Sequence, residues 1–275
     1  MQDYAGIFLE RADLLKYQLY QLLARPYIHD VSITDLAALS HAKYQPIYNV
    51  FQELLDDLVS LTQSPREGVR RMLLKADEFP MSLDAYRAYL VQQGIVYRVV
   101  DYVIQQPNPT LRQFCEQQYI SRSTITRKIK PFNQVLAQFG VKLKLANFEF
   151  SGAEFNIRYC LYTMYWWVYR GIDWPFASVK RVDVVAEIKA VGIGPSQPLA
   201  QLEQQYFLAI SHLRVAKNTR LDENLYLEHF EGKVVSARLR KGSLRPPLTW
   251  ADTAAFNFFQ LSQPRFDVNL RAPQA

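Results

Sequence analysis

The chain has 275 residues, 49% of them hydrophobic and 21% charged, with a formal net charge of +6. That length and apolar content exclude a disordered tail and leave room for two or three units with real cores. The longest nearly uncharged run, Tyr159 to Tyr169, is well short of the about 18 to 20 residues that span a bilayer, and no basic-then-apolar leader is present, so a cytoplasmic protein with no membrane partner is expected.

From the N-terminus, Met1 to Pro65 holds four basic and eight acidic residues, a net −4. Apolar periodicity there predicts helices near Ala12 to Ala24, Ile33 to Leu39 and Pro46 to Leu61, an N-terminal helix-turn-helix domain over residues 1–65. Residues 66–93 read as a linker helix.

A second, basic unit is expected over residues 94–151. Gly94 to Gln105 supplies the first helix of a three-helix core and ends before Pro107 and Pro109. Thr110-x-x-Gln113 is a capping-box pattern, opening a short helix with Leu111, Phe114 and Cys115 inward and an end near Tyr119. Ser121 or Ser123 then caps a second helix, whose apolar positions Ile125, Ile129, Phe132, Leu136 and Phe139 step by four, three, four and three. Its other face carries Arg122, Ser123, Thr126, Arg127 and Lys130, the cationic side expected of a helix lying in a DNA major groove. Pro131 removes a hydrogen bond inside this helix, so a kink or break is expected there, with Arg122 to Lys130 as the DNA-facing half. Next, Val141, Leu143 and Leu145 alternate with Lys142 and Lys144, turn at Ala146-Asn147 and continue as Phe148-Glu149-Phe150, a β-hairpin wing with lysines on one face.

Between Ser121 and Phe148 lie six cations and no acid, Lys128 among them, and a second acid-free window, Gly232 to Ala251, holds five more. Such clustering suits a phosphate-binding surface, though a solvated face gives the same count. Candidate DNA-binding residues are Arg122, Ser123, Thr124, Thr126, Arg127, Lys128, Lys130, Lys142 and Lys144. Arg122 and Arg127 are the base-edge candidates, because only a guanidinium pairs bidentately with guanine.

Sliding the sequence by 78 positions brings Leu111, Phe114, Cys115, Ile125, Ile129, Phe132 and Leu136 onto Ile33, Leu36, Ala37, Ile47, Phe51, Leu54 and Leu58, the mark of a duplicated domain. Arg122, Arg127, Lys128 and Lys130 fall on Tyr44, Asn49, Val50 and Gln52. The first copy is therefore expected to bind phosphate weakly and to serve in packing, dimerisation or auxiliary DNA contact.

Ser151-x-x-Glu154 reads as another capping box, starting a helix that is apolar nearly all round through Tyr169. Helical patterns follow at Phe176 to Ala190, Leu199 to Asn218 and Leu221 to Phe230, giving a bundle over residues 152–232. Residues 233–275 mix basic, proline-rich and aromatic stretches without a period, which suits a loosely packed tail or a second nucleic-acid contact. Two cysteines, Cys115 and Cys160, make neither a disulfide framework nor a metal spacing, and no hydrolase, phosphate-loop or metalloprotease motif occurs. No enzyme, cofactor or metal site is expected.

The segment from Ser82 to Phe176, above all YISRSTITRKIKPFNQVLAQFGVKLKLANFEFSGAEFNIRYCLYTMYWWVYRG, resembles the Mga-type transcription regulators of Gram-positive bacteria. Its most specific features are the helix-turn-helix, the wing ending in Ser151-Gly152-x-Glu154-x-Asn156-Ile157-Arg158, and the aromatic helix beyond. The resemblance implies two N-terminal DNA-binding units, then phosphotransferase-system regulation domains (PRDs), then a domain like an enzyme IIB. It implies Arg122 to Lys130 as the recognition helix, possible phosphorylation of His212 or His229, and phosphotransferase-system proteins as partners.

The expected fold is mainly α, with two tandem winged helix-turn-helix domains bearing small β-hairpin wings and a PRD-like bundle behind them. The expected function is a promoter-binding transcription regulator, a homodimer on double-stranded DNA; six phosphate contacts would give a salt slope of about −5. The alternative is a non-catalytic interaction scaffold of winged-helix shape. Convergence of the helix and wing cations on one face separates the two.

Overall fold

The structure is a computed structural model and describes residues 5–75, 79–191, 198–221, 244 and 247–262. It is mainly helical, and the only sheet among the described residues is a two-stranded hairpin. The helices are α1 (Ala5–Phe8), α2 (Arg11–Leu23), α3 (Ile33–Leu39), α4 (Tyr44–Thr62), α5 (Arg66–Lys75), α6 (Leu83–Gln93), α7 (Ile95–Gln105), α8 (Leu111–Gln118), α9 (Arg122–Leu136), α10 (Glu154–Tyr169), α11 (Arg181–Val191), α12 (Pro198–Ala216) and α13 (Trp250–Ser262). The strands are β1 (Lys142–Lys144) and β2 (Glu149–Ser151).

The 78-residue repeat is present down to the backbone of the turn. In the first unit His41 takes φ 51° and the Ala42 N–H donates to the Ala37 carbonyl at 3.0 Å; in the second Tyr119 takes φ 53° and the Ile120 N–H donates to the Cys115 carbonyl at 3.1 Å. Each position is exactly one repeat apart from its counterpart, and a single left-handed residue turns one helix into the next. The caps correspond as well: Ser32 accepts from the Asp35 N–H and Thr110 from the Gln113 N–H, both at 3.2 Å.

The two copies diverge after their second helix. Where the second unit continues into β1 and β2, the first has a turn at Gln63, at φ 53°, and then α5 packed on α4. A wing on the first unit was expected; among the described residues it is replaced by a helix, whose Val69 and Leu73 are fully buried. The stretch 66–93 likewise holds two helices, α5 and α6, rather than one.

Around the second unit one cluster of buried side chains runs from Ala5 to Phe259, with Leu221, Ala251 and Ala255 forming a second, small one. Phe8 of α1 stacks on Trp167 of α10 and leans on Phe132 of α9, so the first helix of the chain packs into the second unit. Helix α10 is the hub. It touches α6, α12 and the wing, and all its aromatic side chains except Tyr159 are buried or half-buried, as its nearly all-round apolar pattern requires. Asp101 of α7 accepts from the Tyr165 hydroxyl at 2.7 Å and the Gln105 side chain at 2.6 Å, and Gln105 in turn donates to the Pro175 carbonyl at 2.9 Å. Burial pushes the Asp101 carboxyl above its ordinary value, and these donors oppose that shift. The network ties the first helix of the winged unit to the bundle behind it.

Three local expectations are corrected. The capping box Ser151-x-x-Glu154 does not form: Ser151 belongs to β2, the N-cap is Ala153, and Glu154 turns inward to Arg158 and Arg214. The pattern was a coincidence of spacing across a strand end. Helix α9 does not break at Pro131 but runs unbroken to Leu136, because Ile129 and Phe132 are anchored in the core on both sides of the proline while Pro131 itself faces solvent. The C-terminal segment is not merely a tail, since it contains α13, packed on α12 with Phe259 stacked on Phe207, while its Ala251 and Ala255 cluster with Leu221. Its five basic residues at positions 233–245 lie outside the described residues, as does the helical pattern expected at Leu221 to Phe230 beyond its first residue. The bundle pattern expected at Phe176 to Ala190 begins later, with α11.

Candidate nucleic-acid interface

Helix α9 is set by its first turn. Ser121 is the N-cap, its hydroxyl oxygen accepting from the Thr124 N–H at 3.2 Å, which decides between the two serines the sequence offered. The buried stripe Ile125, Ile129, Phe132 and Leu136 packs against α7, which fixes the rotation of the helix and turns the opposite face outward. On that outer face Arg122, Ser123, Thr126, Arg127 and Lys130 are all exposed.

The wing is positioned from α9 by one side chain. The Asn133 amide donates to the Leu143 carbonyl at 3.0 Å and accepts from the Leu143 N–H at 2.8 Å, so it pairs with the free edge of β1 as a third strand would. Leu143 and Phe150, opposite each other in register, point into the core; Lys142 and Lys144, on the alternate positions, point out. Gly152 closes the hairpin at φ 141°, and a Cβ there would lie 2.4 Å from the Gly140 carbonyl oxygen, so only glycine allows this approach. Asn133 was not singled out by sequence, since its partner is an unpaired backbone edge that no side-chain pattern announces. Asn133→Ala is expected to cost about 1–3 kcal/mol in urea denaturation and to speed hydrogen exchange at the Leu143 amide; unchanged exchange would mean that the wing is held by its apolar contacts alone.

Between α9 and the wing lies a cleft of about 650 Å³, whose walls bring Thr126 and Lys130 of the helix together with Lys142 and Lys144 of the wing. Beyond the wing tip, Ser121 and Arg122 border a second hollow with Thr110 and Ala146. Arg122, Arg127, Lys130, Lys142 and Lys144 form no ion pair among the described residues. Five cations are thus presented outside any ion pair, with Glu149 standing opposite Lys144 in the hairpin register.

Two of the nine candidate residues are placed elsewhere. Thr124 is half-buried and its hydroxyl lies 2.9 Å from that of Ser121, inside the cap. Lys128, one turn on, is half-buried and reaches the Glu10 carboxylate at the start of α2. Both sit on the flank of the buried stripe because they are four residues apart, a spacing that returns a side chain to the same side of the helix. Lys128→Ala is expected to lower stability by at most about 1 kcal/mol, as for an exposed pair, and to leave the salt dependence of any DNA binding unchanged; a slope reduced as much as in Lys130→Ala would return Lys128 to the phosphate-contacting set.

In the first unit the matching face of α4 is uncharged. Tyr44 and Tyr48 stack with ring centroids 5.9 Å apart, and the Gln45 amide donates to Asn49 at 2.9 Å.

In the bundle, His212 Nε2 lies 2.7 Å from a carboxylate oxygen of Glu187, while His229 is outside the described residues. No helix among the described residues is long and apolar enough to cross a membrane, and no group of three or more metal-ligating side chains occurs among them.

The family comparison falls on the part of the fold that carries α9 and the wing. The capsule synthesis positive regulator AcpB of Bacillus anthracis is 24% identical over 92 residues, 34% of this chain and 19% of that protein, so the shared stretch is about a fifth of the relative's length. Neither this relative nor the matching family is named as an enzyme. Residues 80–165, from just before α6 to within α10, match the Mga helix-turn-helix domain, and the two likenesses together support a role in transcription regulation.

Proposed function

We propose that the chain is a promoter-binding transcription regulator that reads double-stranded DNA with α9 and holds the backbone with its wing. The observation that carries this reading is the convergence of Lys130, Lys142 and Lys144 on one cleft, continuous with the exposed Arg127 face of the same helix. A scaffold has no use for unpaired cations gathered between a helix and a hairpin, whereas a DNA backbone beside its groove supplies the matching charge. Arg122 and Arg127 are assigned to base edges, Ser123 and Thr126 to supporting contacts, and the three lysines to phosphates. A homodimer on a two-fold site is the natural form, because one winged helix offers a small interface.

The bundle formed by α10, α11 and α12 is the regulatory part in this reading, connected to α7 through Asp101 and Gln105. At His212 a phosphoryl group on Nε2 would face the Glu187 carboxylate, and the like charges would have to separate, so the geometry disfavours phosphorylation at that nitrogen.

The experiment is electrophoretic or anisotropy binding of the full chain to its own upstream DNA and to random duplex. Preferential, salt-sensitive binding is expected; equal failure on both at low salt would favour the scaffold.

A further inference from the structure

Behind the DNA-facing surface, the second half of α9 forms one wall of a cavity of about 280 Å³. Phe132 and Leu136 of α9 face Cys160 and Met164 of α10 across it, and Phe8 of α1 contributes a third side. None of the lining residues carries a charge. The hydroxyl of Thr163 is already donated to the Tyr159 carbonyl at 2.9 Å, and burial pushes the Cys160 thiol up to about 11, so it stays neutral. Phe139 and Tyr159 are 40% and 41% exposed and form the mouth.

These walls define what fits. A charged guest would give up its hydration with no charged group in the lining to replace it, while an uncharged ring system gains by leaving water. Smaller dry apolar cavities already accept a single aromatic ring, and this one has room for one or two.

The cavity also sits where occupancy would be felt. Phe132 and Leu136 belong to the same helix as Arg122, Arg127 and Lys130, and α10 follows directly from the wing through Gly152 and Ala153. Changing the spacing of α9 and α10 therefore moves the reading helix against the wing. Pro131 lies between the DNA-facing and cavity-lining halves of α9, and the backbone hydrogen bond missing there leaves a soft point at which the two halves can adjust.

We propose that this cavity is an effector site for an uncharged apolar molecule of one or two rings, whose binding changes the affinity of α9 and the wing for DNA. The regulatory half of the proposal rests on the DNA-binding reading above; the site itself does not.

The test uses the full chain carrying Cys115→Ser, which leaves Cys160 as its only thiol. Indole is the probe, and indole-3-carboxylate the charged control of similar shape. Alkylation of Cys160 by N-ethylmaleimide reports occupancy, and anisotropy with duplex DNA reports coupling. Indole is expected to slow alkylation saturably, the carboxylate to leave it unchanged, and indole to shift the DNA Kd by about fivefold or more. Val135→Phe, which fills the cavity from α9, is expected to abolish both responses. Because protection is read in the unfilled protein, a filled variant that fails to fold does not remove the test. Absence of protection by indole overturns the site. Protection with an unchanged Kd overturns the regulation. Protection in a protein that binds no DNA in any state supports the site and defeats the DNA-binding reading instead.

Discussion

Replacing Arg127 with alanine is expected to weaken binding to the preferred duplex by about 1–3 kcal/mol and to flatten the preference among duplexes. Arg127 is exposed on the outer face of α9, free of any ion pair among the described residues, one turn from Ser123 and three residues from Lys130. A guanidinium there can donate to the two acceptors of guanine at once, and its removal takes away discrimination along with charge. Lys130→Ala should behave differently. A lysine in the cleft beside Lys142 and Lys144 contacts phosphate, so its loss should weaken all duplexes alike and reduce the magnitude of the salt slope by about 0.9. Anisotropy titrations of both variants on matched and scrambled duplexes separate these outcomes. A uniform loss for Arg127→Ala would demote it to a phosphate contact.

The second large effect is expected far from DNA. Arg158 and Asp252 are both fully buried, and the guanidinium donates to the carboxylate at 2.5 Å. Arg158 also donates to Glu154, which is gripped in turn by Arg214 through two bonds of 3.0 and 2.7 Å. Two cations and two carboxylates balance one another inside the core. Asp252→Ala leaves Arg158 and Arg214 sharing the single carboxylate of Glu154, with one Arg158 nitrogen already lacking a partner, and should cost about 3–5 kcal/mol in urea denaturation. It also removes the bond that Asp252 accepts from the Thr249 N–H at 2.6 Å, at the start of α13. The double variant Arg158→Met with Asp252→Leu, which removes both charges, should recover part of the loss, because a well-packed apolar pair avoids the desolvation cost. A single-variant loss below about 1 kcal/mol would show that α13 contributes little to holding the bundle on α10.

The elements readable from sequence were those whose signals are local. Thr110 with Gln113, the four-three stepping from Ile125, and the alternation of leucines with Lys142 and Lys144 each lie within about one helix or hairpin; the cap formed from the Thr110 side alone, the stepping held as far as Leu136 with Phe139 left exposed beyond the helix, and the strand formed at its expected place. The repeat was legible because seven apolar positions recur 78 residues apart, and the turn geometry at His41 and Tyr119 recurs with them. What the sequence did not disclose depends on distant partners. Lys128 looked like its cationic neighbours until Glu10, 118 residues away, was found beside it. Pro131 looked like a break because its cost is local, whereas the burial of Ile129 and Phe132 that outweighs it is tertiary. Helix α13 had no visible period because it is buried on several sides. A signal was nevertheless present, since Thr249-x-x-Asp252 has capping-box spacing and the Asp252 carboxylate accepts from both the Thr249 N–H and its hydroxyl.

The central claim is that the cations of α9 and the wing act together on a DNA backbone, and its most direct test is the salt dependence of duplex binding. With Lys128 engaged by Glu10 and the two arginines assigned to base edges, three phosphate-contacting lysines remain, and log Kd against log salt is expected to change with a slope of about 2.7 in magnitude for the parent protein, falling by about 0.9 in each of Lys130→Ala, Lys142→Ala and Lys144→Ala. A slope near zero, or one that these three substitutions leave untouched, would contradict it.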